Sequence, residues 1–188
     1  VILLGLFFNL TLSAQEWEPN PFILSRGEFT PYEMASFLVS ANPEVSPQVA
    51  LNLAEIYVKE SAIEEVNHDI AWAQMLLETS FLRYGGQVSI QQNNFAGLGA
   101  VDGGNSGLSF SDVQTGVRAQ VQHLRRYAGG KGYSNTPVHN RGRYVQPGSA
   151  PTIYDLSGRW ASDPLYHQKI LNLLHRLHDH AQTLETLP

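Results

Sequence analysis

Residues 70–80 read IAWAQMLLETS, and residues 84–100 read YGGQVSIQQNNFAGLGA. The first stretch is apolar on nearly every side from Ile70 to Leu77, the pattern of a helix buried all round. Its polar exceptions, Gln74 and Glu78, stand one turn apart on the same face. An ionised carboxylate is costly to take out of water, so a Glu at the end of such a helix tends to keep its proton. A protonated Glu is what a general acid needs near neutral pH. In the second stretch helical periodicity stops and glycines punctuate the chain, as in a segment that shapes a cleft. A Glu that turns into solvent at a helix end is the plain alternative.

Outward from this centre, helix signals dominate. Thr30-Pro31-Tyr32-Glu33 is an N-cap with Pro at N1 and Glu at N3, and Ser46-Pro47 repeats the start. The second helix carries Val49, Leu53, Ile56 and Tyr57 on one face, with Glu55 and Lys59 on its wet side. The third begins near Asn67. Asp112 caps a helix carrying Val113, Val117, Val121 and Leu124, ending near Ala128-Gly129-Gly130. Asp163-Pro164 opens a last helix, with Ile170, Leu173, Leu174, Leu177 and Ala181 inward. Residues 87–90 and 108–110 read as short strands of a small β-lobe or hairpin. The fold class expected is mainly α (α+β): a helical domain over 30–188 with a small β insertion.

The termini and charge add limits. Residues 1–14 are nearly all apolar and end in Ser13-Ala14, which predicts a truncated signal peptide and an exported protein, periplasmic, cell-wall-associated or extracellular. Residues 15–29 read as a linker or extended arm. At 188 residues, one domain is expected. The net charge of −5 argues against a general nucleic-acid binder. With no cysteine, disulfides and thiolate metal sites are excluded. The charge is uneven: between Val113 and Tyr154 there is no acid, but Arg118, Arg125, Arg126, Lys131, Arg141 and Arg143 are there. That stretch is either a solvated basic face or a surface for an anionic polymer.

The stretches 73–80 and 84–100 resemble the glucosaminidase family of peptidoglycan hydrolases. The resemblance continues through FSDVQTGVRAQVQHLRRYA (110–128) and closes with RWASDPLYHQKI (159–170), which is similar to the family's Tyr-Ala-Thr-Asp-Pro-x-Tyr signature. It covers about 48–180. It departs from the family pattern at Ser80, Trp160 and Ser162, where Gly, Tyr and Thr are usual. The resemblance implies a lysozyme-like fold, endo-β-N-acetylglucosaminidase activity and a catalytic acid at Glu78. It implies a cleft-lining turn at Asn93, Asn94 and Phe95, whose amides suit N-acetyl and hydroxyl groups, although paired Asn also suits a plain tight turn. Trp160 and Tyr166 fall on its two aromatic positions, where flat faces pack on sugar rings or in a core. Gln74 and Tyr84 complete the candidate substrate-binding set. Asp163 reads as a helix cap.

A two-carboxylate glycosidase needs a second acid across the bond. The candidate is Asp102, with the substrate's own acetamido group as the alternative. The implied partner is peptidoglycan glycan, acted on by a monomer without cofactor, metal or membrane insertion. Other readings are a muramidase, lytic transglycosylase or chitinase on the same fold, or a non-catalytic peptidoglycan-binding module. His175, His178, Asp179 and His180 resemble a metal cluster, but His180 points off the shared face and a solvated face fits better. Gly97-Leu98-Gly99 is not a phosphate loop, and Ser106 is not in a nucleophile elbow.

Overall fold

The computed structural model describes residues 17–86, 88–100 and 106–186. The expected signal segment 1–14, Gln87 and Asp102 lie outside the described residues. Among the described residues five α-helices carry the fold: α1 (Pro31–Ala41), α2 (Pro47–Glu64), α3 (His68–Glu78), α4 (Val113–Ala128) and α5 (Tyr166–Glu185). The molecule is mainly helical, and no described helix is long and apolar enough to cross a membrane.

The caps explain the starts. Thr30 and Glu33 form a reciprocal capping box on α1. The Ser46 hydroxyl accepts from the Val49 amide, the Asn67 side chain accepts from the Asp69 and Ile70 amides, and Asp112 accepts from Thr115. Gly129, at φ 92°, closes α4 in the left-handed conformation that glycine adopts cheaply. The last helix begins at Tyr166, two residues past Pro164. Asp163 accepts from the Leu165 amide and pairs with Lys169, so Asp163-Pro164 makes the turn before the helix.

Helix α3 is central and packs on α2, α4 and α5, with α1 closing the far side of α2 and α5. Every α3 residue from His68 to Leu76 is buried, as its all-round apolar sequence requires. The inward face of α5 is the one expected, and in α4 Val117, Val121 and Leu124 are buried while Val113, in the first turn, is exposed. In α2 the buried face is Ala50, Leu53, Ala54 and Tyr57, while Val49 is exposed and Ile56 only half-buried. That face then continues into two acids, Glu60 and Glu64, both fully buried. The arm before α1 is pinned: Ile23 is fully buried and bonds Pro151 and Asn67 through its backbone. Trp17 stacks on His178 with ring centroids 4.3 Å apart.

The expected strands are not formed. Ile90 begins a single 3₁₀ turn (Ile90–Gln92) in which the Gln92 side chain returns to the Ser89 amide. Local capping thus displaces sheet pairing, and Ile90 stays 59% exposed. Residues 108–110 make only single backbone bonds, Leu108 N to Leu98 O and Phe110 N to Gln92 O. Among the described residues there are only isolated bridges, one of them Ala100 with Ser106. The β-lobe is therefore not formed by the described residues.

After Glu78 the chain does something no pattern announced. Ser80, Phe81, Leu82 and Tyr84 all have φ between 50° and 60°. A left-handed backbone costs a non-glycine residue about 1–2 kcal/mol, so this turn must be held by its surroundings. The Asn42 amide donates to the Phe81 carbonyl at 2.7 Å, and Arg83 donates to the Ala41 carbonyl at 2.6 Å. Phe81 packs edge-on against Phe37. The turn bonds back to the end of α3, Phe81 N to Leu76 O and Tyr84 N to Thr79 O, and Glu78 beside it is exposed.

Candidate active site

Glu78 is the last residue of α3 and is exposed at the surface. Two side chains donate to the same oxygen, Oε1: the Tyr166 hydroxyl at 2.5 Å and the Trp160 indole at 3.1 Å. Enough protein crowds the carboxyl that desolvation raises its pKa, against the lowering effect of those two hydrogen bonds. Both donors are neutral. Burial holds the Tyr166 phenol well above its ordinary value, so it stays protonated. His123 packs edge-on against Trp160 at 5.3 Å, and burial pushes it down to about 4, so it brings no charge near neutral pH.

The other oxygen of Glu78 faces Gly97. A Cβ at Gly97 would lie 3.6 Å from Oε2, and Gly97 has φ 61°. Glycine here keeps one side of the carboxyl uncovered. The loop that carries Gly97 is built by Asn94, which is 1% exposed. Its amide nitrogen donates to the carbonyls of Leu98 and Leu108, and its oxygen accepts from the Leu98 amide at 3.0 Å. With both ends in use, Asn94 shapes the loop.

The candidate substrate contacts therefore separate. Glu78, Trp160, Tyr166 and Gln74 come together. Gln74 is fully buried and joins Tyr166 from behind, donating to its hydroxyl at 3.1 Å. Tyr84, Asn93 and Phe95 surround a different cavity of about 360 Å³ beside α2, with Leu53, Ile56 and Ile90. Asn93 takes a left-handed turn at φ 48° and donates to the Phe110 carbonyl. Phe95 is a core residue against Tyr57.

Of the six cations between 113 and 154, Arg118 and Arg125 are held in internal ion pairs. Arg118 makes a two-pronged pair with Glu60, through Nε at 2.8 Å and Nη2 at 3.1 Å. Arg125 bonds Glu64 and Glu65, which removes it as a substrate-facing charge. The α5 histidines are separately engaged: His178 stacks on Trp17, His175 lies 3.9 Å from Glu18, and His180 bonds Ser36 at 2.9 Å.

Sequence reasoning missed Gln120. Its nitrogen donates to the Ala71 carbonyl and to Gln74, and its oxygen accepts from Tyr57. The available signal was a polar residue three positions after Val117, inside the buried stripe of α4.

Residues 54–179 match the glucosaminidase family model, described as mannosyl-glycoprotein endo-β-N-acetylglucosaminidase. The chain belongs to the glucosaminidase family, and membership points to glycan hydrolysis. An uncharacterised protein of Borreliella burgdorferi is 42% identical over 166 residues, spanning 88% of this chain and 81% of its own. No solved structure matches.

Proposed function

We propose that this chain is an exported peptidoglycan hydrolase of lysozyme-like fold. It is an endo-β-N-acetylglucosaminidase that cleaves β-1,4 bonds of cell-wall glycan with Glu78 as general acid. The observation that carries the reading is a carboxyl at the surface end of a buried helix, held by neutral donors and raised in pKa by desolvation. Such a group is protonated further up the pH scale than an ordinary Glu. As the glycosidic C1–O bond lengthens, Glu78 passes its proton to the leaving oxygen. The charge left on the carboxylate is met by Tyr166 and Trp160, which are already in place. Support on the opposite face comes from Asp102 or from the substrate's acetamido group.

The exposed cations Lys131 and Arg143 suit glycan whose peptide stems carry carboxylates. The test is digestion of purified sacculi with mass spectrometry of the fragments. Reducing N-acetylglucosamine ends are expected. Reducing N-acetylmuramic ends would make it a muramidase, and anhydro ends a lytic transglycosylase. Binding without turnover at any pH would make it a non-catalytic module.

A further inference from the structure

Behind Glu78 a chain of polar side chains crosses the core. It runs from Tyr57 on α2 through Gln120 on α4 and Gln74 on α3 to Tyr166 on α5, and ends on Glu78. Both glutamines and Tyr57 are fully buried. Buried polar groups are retained where every donor and acceptor is matched, and here the matching has only one direction.

The direction is fixed at a backbone carbonyl. Ala71 O can only accept, so the Gln120 group 2.9 Å from it is the amide nitrogen. The second hydrogen of that nitrogen goes to Gln74, at 2.9 Å, so Gln74 presents its oxygen there. Gln74 must then present its nitrogen to Tyr166, at 3.1 Å. The Tyr166 hydroxyl receives that hydrogen and has one of its own to give. Its remaining partner is Glu78 Oε1, at 2.5 Å. At the other end, the Gln120 oxygen takes the Tyr57 proton at 2.5 Å. Reversing any single amide would set donor against donor or acceptor against acceptor.

We infer that Gln120 is a positioning residue that, by fixing which way the Gln74 amide points, holds Tyr166 as an obligate donor to Glu78 Oε1, so that the transferable proton of Glu78 resides on Oε2, facing Gly97. The inference rests on the reading of Glu78 as general acid. With Tyr166 and Trp160 both donating to Oε1, a proton on that oxygen would meet two others. Oε2 receives neither donor and faces Gly97, which has no side chain. The relay thus decides which oxygen is the acid and keeps the acid proton on the uncovered side.

The test uses the full protein. Gln120→Met keeps volume but releases Gln74, whose amide can then turn its oxygen to Tyr166 and draw the hydroxyl away from Glu78. Glu78 loses a bond that lowers its pKa. The alkaline limb of the kcat/KM profile moves up by about half a pH unit, and kcat falls about tenfold with KM nearly unchanged. Gln74→Met removes the competing acceptor, so Tyr166 still donates to Glu78 and the limb stays in place. Adding Gln74→Met to Gln120→Met returns the limb, whereas simple loss of packing would worsen with each change.

Titration of the ¹³C-labelled Glu78 carboxyl, assigned by its loss in Glu78→Gln, reads the same midpoint without needing turnover. If sacculi are not cleaved but the midpoints move in this pattern, the relay stands and the hydrolase reading fails. An unmoved midpoint in folded Gln120→Met overturns the inference, as does a double variant that moves further than the single one. If Gln120→Met does not fold, Gln74→Met and Tyr166→Phe decide. The midpoint should rise in Tyr166→Phe and hold in Gln74→Met, and equal shifts in both overturn the inference.

Discussion

Glu60 on α2 and Glu78 on α3 are the same residue type under the same first influence, and they end in opposite states. Desolvation pushes both carboxyls up in pKa. At Glu60 that push is overcome by hydrogen bonds from Arg118 and Gln114 and by the charge of Arg118, and the result lies below the ordinary value. At Glu78 the bonds come only from Tyr166 and Trp160, which carry no charge, and desolvation wins. Hydrogen bonding alone does not separate them, since both carboxyls accept more than one bond. The sign of the partner does. A cation makes a buried carboxylate a structural tie between α2 and α4, and neutral donors leave a carboxyl ready to give up a proton.

The largest effect should come from removing the proposed acid. Glu78→Gln keeps an oxygen for Tyr166 and Trp160 but has no proton to transfer. Activity on sacculi should fall about 10²–10⁴-fold with the fold retained, measured by reducing-end release and circular dichroism. Arg118→Met should strand Glu60 and cost about 3 kcal/mol in urea unfolding, without touching Glu78. Pairing it with Glu60→Met should recover most of that loss, because the unpaired charge disappears along with its partner.

The pH dependence of stability should split the same way. A carboxyl with a lowered folded pKa stabilises above its unfolded pKa, and that contribution is lost as pH falls through the folded pKa. Glu60→Gln should therefore flatten the acid side of the Tm profile. A raised folded pKa works in reverse: stability is highest below the unfolded pKa and declines as pH rises towards the folded one. Glu78→Gln should raise Tm at pH 7, and the gap should close in acid.

Gly97→Ala would set a methyl 3.6 Å from Oε2 in a backbone that disfavours it. It should cost about 1 kcal/mol in stability and lower kcat several-fold. The smallest change is Trp160→Phe, which removes the longer of the two bonds. The alkaline limb of activity should move up slightly, by less than in Tyr166→Phe.

Much of this was legible in the chain. Side-chain caps at Thr30, Ser46, Asn67 and Asp112 act within three residues, so local sequence displays them. The all-round apolar run 70–77 predicted a buried helix, and Glu78 at its end was singled out by that run alone. What stayed hidden depends on contacts distant in sequence. Glu60 and Glu64 continue the buried face of α2 only because Arg118 and Arg125 arrive from α4. Phe81 and Leu82 carry no sign of a left-handed backbone, which Asn42 and Phe37 hold from α1 and its end. Gln74 was a candidate substrate contact, but it is fully buried behind Tyr166. Ile90 reads as a strand residue, and the nearby Gln92 cap makes a turn of it.

The central claim, that desolvation pushes both carboxyls up and the charge of their partners decides which one stays raised, is tested most directly by titrating Glu78 and Glu60 together in one ¹³C-carboxyl experiment. Glu78 should show a midpoint above the ordinary glutamate range and Glu60 one below it. A Glu78 midpoint at or below that of Glu60 would contradict the account.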